Sequence, residues 1–218
     1  KEIDKQQQWQ YFVNIEKLTK GIPLQHITHR QEFMKMDFFV DENVLIPRSD
    51  TEILVEEVIN ISKKINAKKI LDLCTGSGAI AISLAKYIEN SEITAVDISK
   101  KALEIARTNA KNNDVENQIT FVESDLFKNL KEDNIGYIDH TSYKNCYAQG
   151  KREVIKKLNK DVQKEPIIAL DGGYDGLDFY RKIINESEKY LKFNGYLCFE
   201  IGYDQKEDVI GIIKNKER

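Results

Sequence analysis

Ile70-Leu-Asp-Leu-Cys-Thr-Gly-Ser-Gly-Ala-Ile-Ala81 reads as a buried strand that breaks into a glycine turn and opens a helix. Ile70, Leu71 and Leu73 form the short apolar run of a central parallel strand. Gly76 and Gly78 permit a sharp turn and let the backbone approach a ligand with no Cβ in the way. The stretch from Gly76 to Ala81 is a G-x-G-x-x-A pattern, which sets the free N–H groups and positive dipole end of a helix against a polar cofactor. Any tight strand-to-helix turn can carry two glycines for steric reasons, so the neighbours decide. Asp72 sits inside the apolar strand, where an unpaired carboxylate is costly, and is expected to accept hydrogen bonds from the glycine turn or the cofactor. Ile93-Thr-Ala-Val-Asp97 is a second apolar strand, closed by an acid placed to accept both hydroxyls of a ribose. The competing role for Asp97 is a helix cap, for which Ser99 is also well suited. Strand, glycine turn, helix, strand and acid follow in order within roughly thirty residues, which favours the ribose.

Outward from this unit the chain alternates strand and helix: strand 70–74, helix 78–89, strand 93–97, helix 99–113 and strand 119–122. Helix 176–191, strand 196–201 and a last helix resume the pattern. The alternation predicts a mostly parallel sheet with helices on both faces. Towards the N-terminus, Trp9, Phe12, Val13 and Leu18 mark one helix ending near Lys20, and Gly21-Ile-Pro23 stops it. Phe33 to Ile46 follows as an expected hairpin with its turn at Asp41-Glu-Asn43. Ser49 and Glu52 have capping-box spacing ahead of a helix whose apolar face is Leu54, Val58, Ile61 and Ile65. Three segments are therefore expected: 1–30, a short helical segment; 31–48, a linking hairpin; and 49–218, the α/β domain.

A length of 218 residues suits one full α/β domain with a small appendage. The net charge of −3 gives no global basic field for nonspecific nucleic-acid binding. Cys74, Cys146 and Cys198 lack paired spacing, and His26, His29 and His140 form no ligand pattern with them, so neither a metal site nor an oxidising compartment is expected. With no long apolar run and no secretory start, the expectation is a cytoplasmic protein without a membrane span.

Asp72-Leu-Cys-Thr-Gly-Ser-Gly78 resembles the first motif of class I S-adenosylmethionine-dependent methyltransferases, since nicotinamide folds more often lack the strand acid. Ile119-Thr-Phe-Val-Glu-Ser-Asp125-Leu126-Phe127 ends at the position where that class holds the adenine between an acid and an apolar side chain. A narrower resemblance spans nearly the whole chain. Pro23-Leu-Gln-His-Ile-Thr28, Leu45-Ile-Pro47-Arg48-Ser-Asp50-Thr51-Glu52, Glu165-Pro166, Ala169-Leu-Asp171-Gly-Gly-Tyr-Asp-Gly176 and Glu200-Ile-Gly202 look like successive signatures of the HemK family, the methyltransferases of peptide chain release factors. The resemblance implies a Rossmann-like class I fold, with 49–218 as the methyltransferase catalytic domain and 1–30 as the remnant of a larger N-terminal helical domain that binds the substrate. It also implies methyl transfer from S-adenosylmethionine to the glutamine side-chain nitrogen of a release factor's Gly-Gly-Gln loop. Cofactor contacts are then expected from Asp72, Cys74, Thr75, Gly76, Ser77, Gly78, Asp97, Asp125 and Leu126.

The family's Asn-Pro-Pro-Tyr loop, which accepts the amide hydrogens, is absent here. Gly136 to Gly150 has neither the proline pair nor the apolar run expected of a fourth central strand. Asn145, followed by Cys146-Tyr147, is the nearest remnant and the candidate catalytic residue, with an ordinary loop role as its competitor. His29 stands where a glycine is usual, and Arg48 and Glu32 are either functional or an ordinary ion pair beside the hairpin, the structural reading being favoured. Two other readings stay open. One is an adenine-N6 amino-methyltransferase of nucleic acid, disfavoured by the release-factor-type hairpin and the Asp171-Gly-Gly segment; the other is a cofactor-binding protein with impaired catalysis.

Overall fold

The structure, a computed structural model, describes residues 3–66, 68–131 and 155–216, together with the backbone of 135–140. Helices α1 (Lys5–Thr19) and α2 (Leu24–Thr28) lead into a hairpin of β1 (Gln31–Phe33) and β2 (Met36–Phe38). Then come α3 (Asp50–Ile65), β3 (Lys69–Leu73), α4 (Ala79–Tyr87), β4 (Glu92–Asp97), α5 (Lys100–Asn112) and β5 (Ile119–Glu123). After β6 (Ile135–His140) follow the short α6 (Ile167–Leu170), α7 (Asp178–Ser187), β7 (Leu191–Phe199) and α8 (Lys206–Lys216).

The five-stranded sheet has the order β5-β4-β3-β6-β7, and each adjacent pair is parallel. Three strands are laid down from β3 towards one edge; the chain then returns to the other side of β3, where β6 pairs Leu73 with His140. Such a reversal opens a crevice at the carboxyl ends of the strands. Successive residues of β3 face opposite sides of the sheet. Ile70 packs with Val55 and Val58 of α3 and Ala81 and Leu84 of α4, whereas Leu71 and Leu73 pack with Val96, Phe127 and Ile183 of α7. Helices therefore cover both faces, as expected. No described helix is long and apolar enough to cross a membrane.

Several local expectations are corrected. The hairpin turn is Met34-Lys35, with φ of 49° and 60°, not Asp41-Glu-Asn43. Two successive positive φ angles are the geometry of a two-residue primed turn, which matches strand twist but is usually written with Asn or Gly. Asp41 instead makes a small turn by accepting the Asn43 N–H at 2.8 Å, inside an irregular linker whose Val40, Val44 and Ile46 pack on Ala102 and Ile105 of α5. Ser49 makes no side-chain capping bond; Glu52 reaches back and accepts the Met34 N–H at 2.7 Å, so the expected capping box is a clasp on the hairpin turn. The buried face of α3 centres on Thr51, Val55, Val58, Ile59 and Ser62, with Leu54, Ile61 and Ile65 only partly buried beside it. The fourth central strand, which the sequence argued against, is present as β6. His29 does adopt the left-handed conformation, φ 54°, its ring stacked on Phe39 with centroids 5.3 Å apart.

Candidate cofactor site

β3 leaves the sheet through Cys74 at φ 60°, and the next two turns of backbone are carried by Gly76 at φ 56° and Gly78 at φ 82°. Thr75 ties the loop down in two directions: its N–H donates to Val96 at 2.8 Å, and its hydroxyl donates to Asp72 Oδ2 at 2.6 Å. Its carbonyl accepts the Gly78 N–H at 2.9 Å. Asp97, at the end of β4, accepts the Gly76 N–H on Oδ2 at 2.9 Å and the Ser99 N–H on Oδ1 at 2.8 Å. Ser99 in turn caps α5 by accepting the Ala102 N–H. The cap and the acid are thus two residues with two tasks.

A cavity of about 310 Å³ opens at this end of the sheet. Its floor is Cys74, Thr75, Gly76 and Ser77, and Asp97 with Ile98 forms one side. Asp125 and Leu126, just past β5, form the next. The linker supplies a wall through Val44, Leu45 and Pro47, and Pro166, Ile168 and Phe179 close the far side. Of the residues expected from sequence, Cys74, Thr75, Gly76, Ser77, Asp97, Asp125 and Leu126 converge here. Asp72 and Gly78 stand behind the lining. Asp72 is fully buried beneath Thr75. A Cβ on Gly78 would meet Ile82 Cδ1 at 2.9 Å and Ala106 Cβ at 3.0 Å, so this glycine serves the packing of α4 on α5, not ligand approach. On Gly76 the nearest atom to such a Cβ is 4.0 Å away, and its open side faces the cavity. Asn145 lies outside the described residues.

Burial dominates the electrostatics. The Asp72 carboxyl, cut off from water and near Asp97, is pushed up to about 7, despite the Thr75 hydroxyl it accepts. Burial raises Asp97 as well, against the backbone N–H groups of Ser99 and Gly76. The expected partner of Arg48 is corrected: its guanidinium bonds Glu165, whose other oxygen accepts the Ile46 N–H at 3.0 Å. Glu165 is buried, and burial raises its pKa while the Arg48 charge pulls it down. This pair joins the linker wall to the Pro166 side of the cavity. Near the hairpin the ion pair is Arg30 with Asp37, at 2.7 Å. Thr51, also in the lining, donates to Glu200 Oε2 at 3.0 Å. Sequence reasoning missed Thr51, Phe179 and the linker wall as site components, because each reaches the cavity by tertiary packing, and it also missed Ile98, which lines the cavity directly after Asp97. Among the described residues no group of acids, histidines and cysteines is arranged to hold a metal.

The sheet order, the glycine turn and a cavity at the strand ends define a class I methyltransferase fold. A ribosomal protein L11 methylase from Lactobacillus delbrueckii subsp. bulgaricus has this fold, with a TM-score of 0.56 at 18% identity over 81% of this chain and 72% of that one. The hMettl16 catalytic domain superposes with a TM-score of 0.64 at 13% identity, covering 82% of this chain and 66% of that one. Residues 49–138 match the methyltransferase small domain family. A release factor glutamine methyltransferase of Clostridium acetobutylicum is 41% identical over 216 residues, 99% of this chain and 75% of the relative. One from Moorella thermoacetica is 38% identical over 212 residues, 93% and 72% of the two chains. This chain belongs to the release factor glutamine methyltransferase family.

Proposed function

We propose that this chain binds S-adenosylmethionine in the strand-end cavity and methylates the side-chain amide nitrogen of a glutamine in the Gly-Gly-Gln loop of a peptide chain release factor, in the cytoplasm. The observation that carries the reading is the convergence of Gly76, Asp97, Asp125 and Leu126 on one cavity in a member of this family. The residues fit such a cofactor. The Asp97 oxygens accept the Gly76 and Ser99 N–H groups, with the Ile98 N–H also acting on the carboxylate, and since each carboxylate oxygen has two lone pairs, acceptor capacity remains for a ribose hydroxyl. The open side of Gly76 leaves room for close approach, and Leu126 and Ile98 offer apolar surface for the adenine beside Asp125.

When bound, S-adenosylmethionine supplies an electrophilic methyl on a sulfonium. The protein's work is then alignment: an amide nitrogen's lone pair is delocalised into its carbonyl, so the nitrogen must be held in line and its developing positive charge stabilised. Asn145 is the residue proposed to accept the amide hydrogens, in place of the missing Asn-Pro-Pro-Tyr loop. β6 ends at His140, level with Leu73 and so next to the cavity floor. The test is incubation with S-adenosylmethionine and purified release factor, followed by mass spectrometry of the tryptic peptide. One added methyl on the Gly-Gly-Gln glutamine is expected. Methylated adenine in DNA with unmodified release factor would reverse the choice of substrate, and cofactor binding without transfer to either would make the chain a binding protein.

A further inference from the structure

Asn109 on α5 is fully buried, and all of its side-chain bonds run to backbone groups distant in sequence. Its Oδ1 accepts the Phe39 N–H at 2.7 Å, and its Nδ2 donates to the Phe39 carbonyl at 3.0 Å and the Ser77 carbonyl at 2.9 Å. Both amide hydrogens are thereby used. Towards Phe39 the side chain behaves as a one-residue strand partner, pairing with both peptide groups just beyond β2. Towards Ser77 it grips the glycine turn that floors the cavity. Phe39 leads straight into the linker whose Val44, Leu45 and Pro47 form a cavity wall. One helical turn earlier, Ala106 fills the space left by the missing Cβ of Gly78. One turn later, Asn113 Nδ2 donates to the Asp37 carbonyl at 3.2 Å and to the backbone carbonyl of Asn109 at 2.9 Å, so its side chain ties the hairpin to α5 and bonds neither the glycine turn nor Phe39.

We propose that Asn109 is a positioning residue for the methyl-transfer reaction, setting the spacing between the glycine turn and the linker wall of the cofactor cavity through one buried amide. The proposal rests on the reading of that cavity as the S-adenosylmethionine site. An amide shared between two cavity walls transmits any shift of one to the other, because replacing it strands buried carbonyls on both sides.

The experiment compares Asn109→Asp, Asn109→Leu, Asn109→Ser and Asn113→Ala in the full chain. S-adenosylmethionine affinity is measured by calorimetry and KM and kcat are measured with release factor. Asp retains the acceptor for Phe39 but turns a carboxylate on two carbonyls; Leu removes every bond; Ser keeps a hydroxyl too short to span both walls and decides the question if the first two fail to fold. Each folded Asn109 variant is expected to raise the Kd and KM for S-adenosylmethionine by about tenfold or more. kcat at saturating cofactor and the KM for release factor should change by less than about threefold. Asn113→Ala should leave all four values unchanged. A purely structural role would lower the active fraction without moving the cofactor KM. Unchanged cofactor affinity in a folded Asn109 variant, or an equal loss in Asn113→Ala, would overturn the proposal. Failure of the unsubstituted chain to bind S-adenosylmethionine would overturn the cofactor reading first, before any variant is compared.

Discussion

Each oxygen of the Asp97 carboxylate already accepts a backbone N–H, from Gly76 and from Ser99, while the residue also lines the cavity. Asp97→Ala therefore removes a brace of the glycine turn together with the acceptors proposed for the ribose. Calorimetric titration should show a loss of about 1–3 kcal/mol in S-adenosylmethionine affinity, the scale of charge-assisted hydrogen bonds. The two glycines should separate. Gly76→Val places its branches beside the cavity and a β-branched residue at φ 56°, and should abolish cofactor binding in addition to the loss of melting temperature that the left-handed backbone imposes on any side chain there. Gly78→Val meets Ile82 and Ala106 and should destabilise the fold by about 1–3 kcal/mol, seen in thermal unfolding without ligand. Both glycines and both acids were legible in the sequence as one motif. Which glycine faces ligand was not, because the contact that decides it comes from Ala106 on another helix.

The hairpin turn at Met34-Lys35 places two side chains in the left-handed region, where only Gly and Asn sit without cost. It persists because Glu52 accepts the Met34 N–H and the Tyr87 hydroxyl donates to the Met34 carbonyl. Replacing Met34-Lys35 with Asn-Gly should raise stability by roughly 0.5–1 kcal/mol in denaturant titrations. Arg48→Ala should do the reverse, by on the order of 3 kcal/mol, because it removes the charge that offsets the burial of Glu165. At this scale the alternating elements from β3 to β5 were legible, since each has its own period and cap. The hairpin was misplaced because its turn has no turn residues and is held by α3 and α4 instead. β6 was missed because Ile135-Gly-Tyr-Ile-Asp-His140 lacks an apolar run. Its place is set by backbone pairing to β3 and β7 on either side.

Across the molecule, burial raises the pKa of Asp72, Asp97, Glu165 and Glu200. A carboxyl raised in the fold binds its proton more tightly there than in the unfolded chain. Between the ordinary value of 3.8 and about 7 for Asp72, the native state therefore holds more protons, and this contribution to stability falls as pH rises. His26, lowered by burial, acts the other way, losing stability as pH falls below its ordinary 6.5. Asp72→Asn isolates the acid: it should raise the melting temperature near pH 8 and have little effect near pH 4, a difference followed by calorimetry at both. Binding and turnover are also separable across the molecule. Grafting Asn-Pro-Pro-Tyr over Asn145 and its neighbours should raise kcat by on the order of a hundredfold, leaving S-adenosylmethionine affinity unchanged. Equal turnover in the parent chain would mean that another group aligns the amide.

The cavity draws its floor from residues 74–77, its sides from 97–99 and 124–126, one wall from 42–47 and the far side from 166–179. A molecule bound there acts as a non-covalent cross-link among segments that leave the ribosome at widely separated times. Those before residue 127 emerge first, yet they cannot enclose a ligand until the chain has crossed back past β3. Cofactor capture should thus be a late event in biosynthesis, and nascent chains arrested before α7 should retain none. In the finished protein the same cross-link resists heat and proteases: at a hundredfold excess over Kd it adds about 2.7 kcal/mol, spread over every segment it touches.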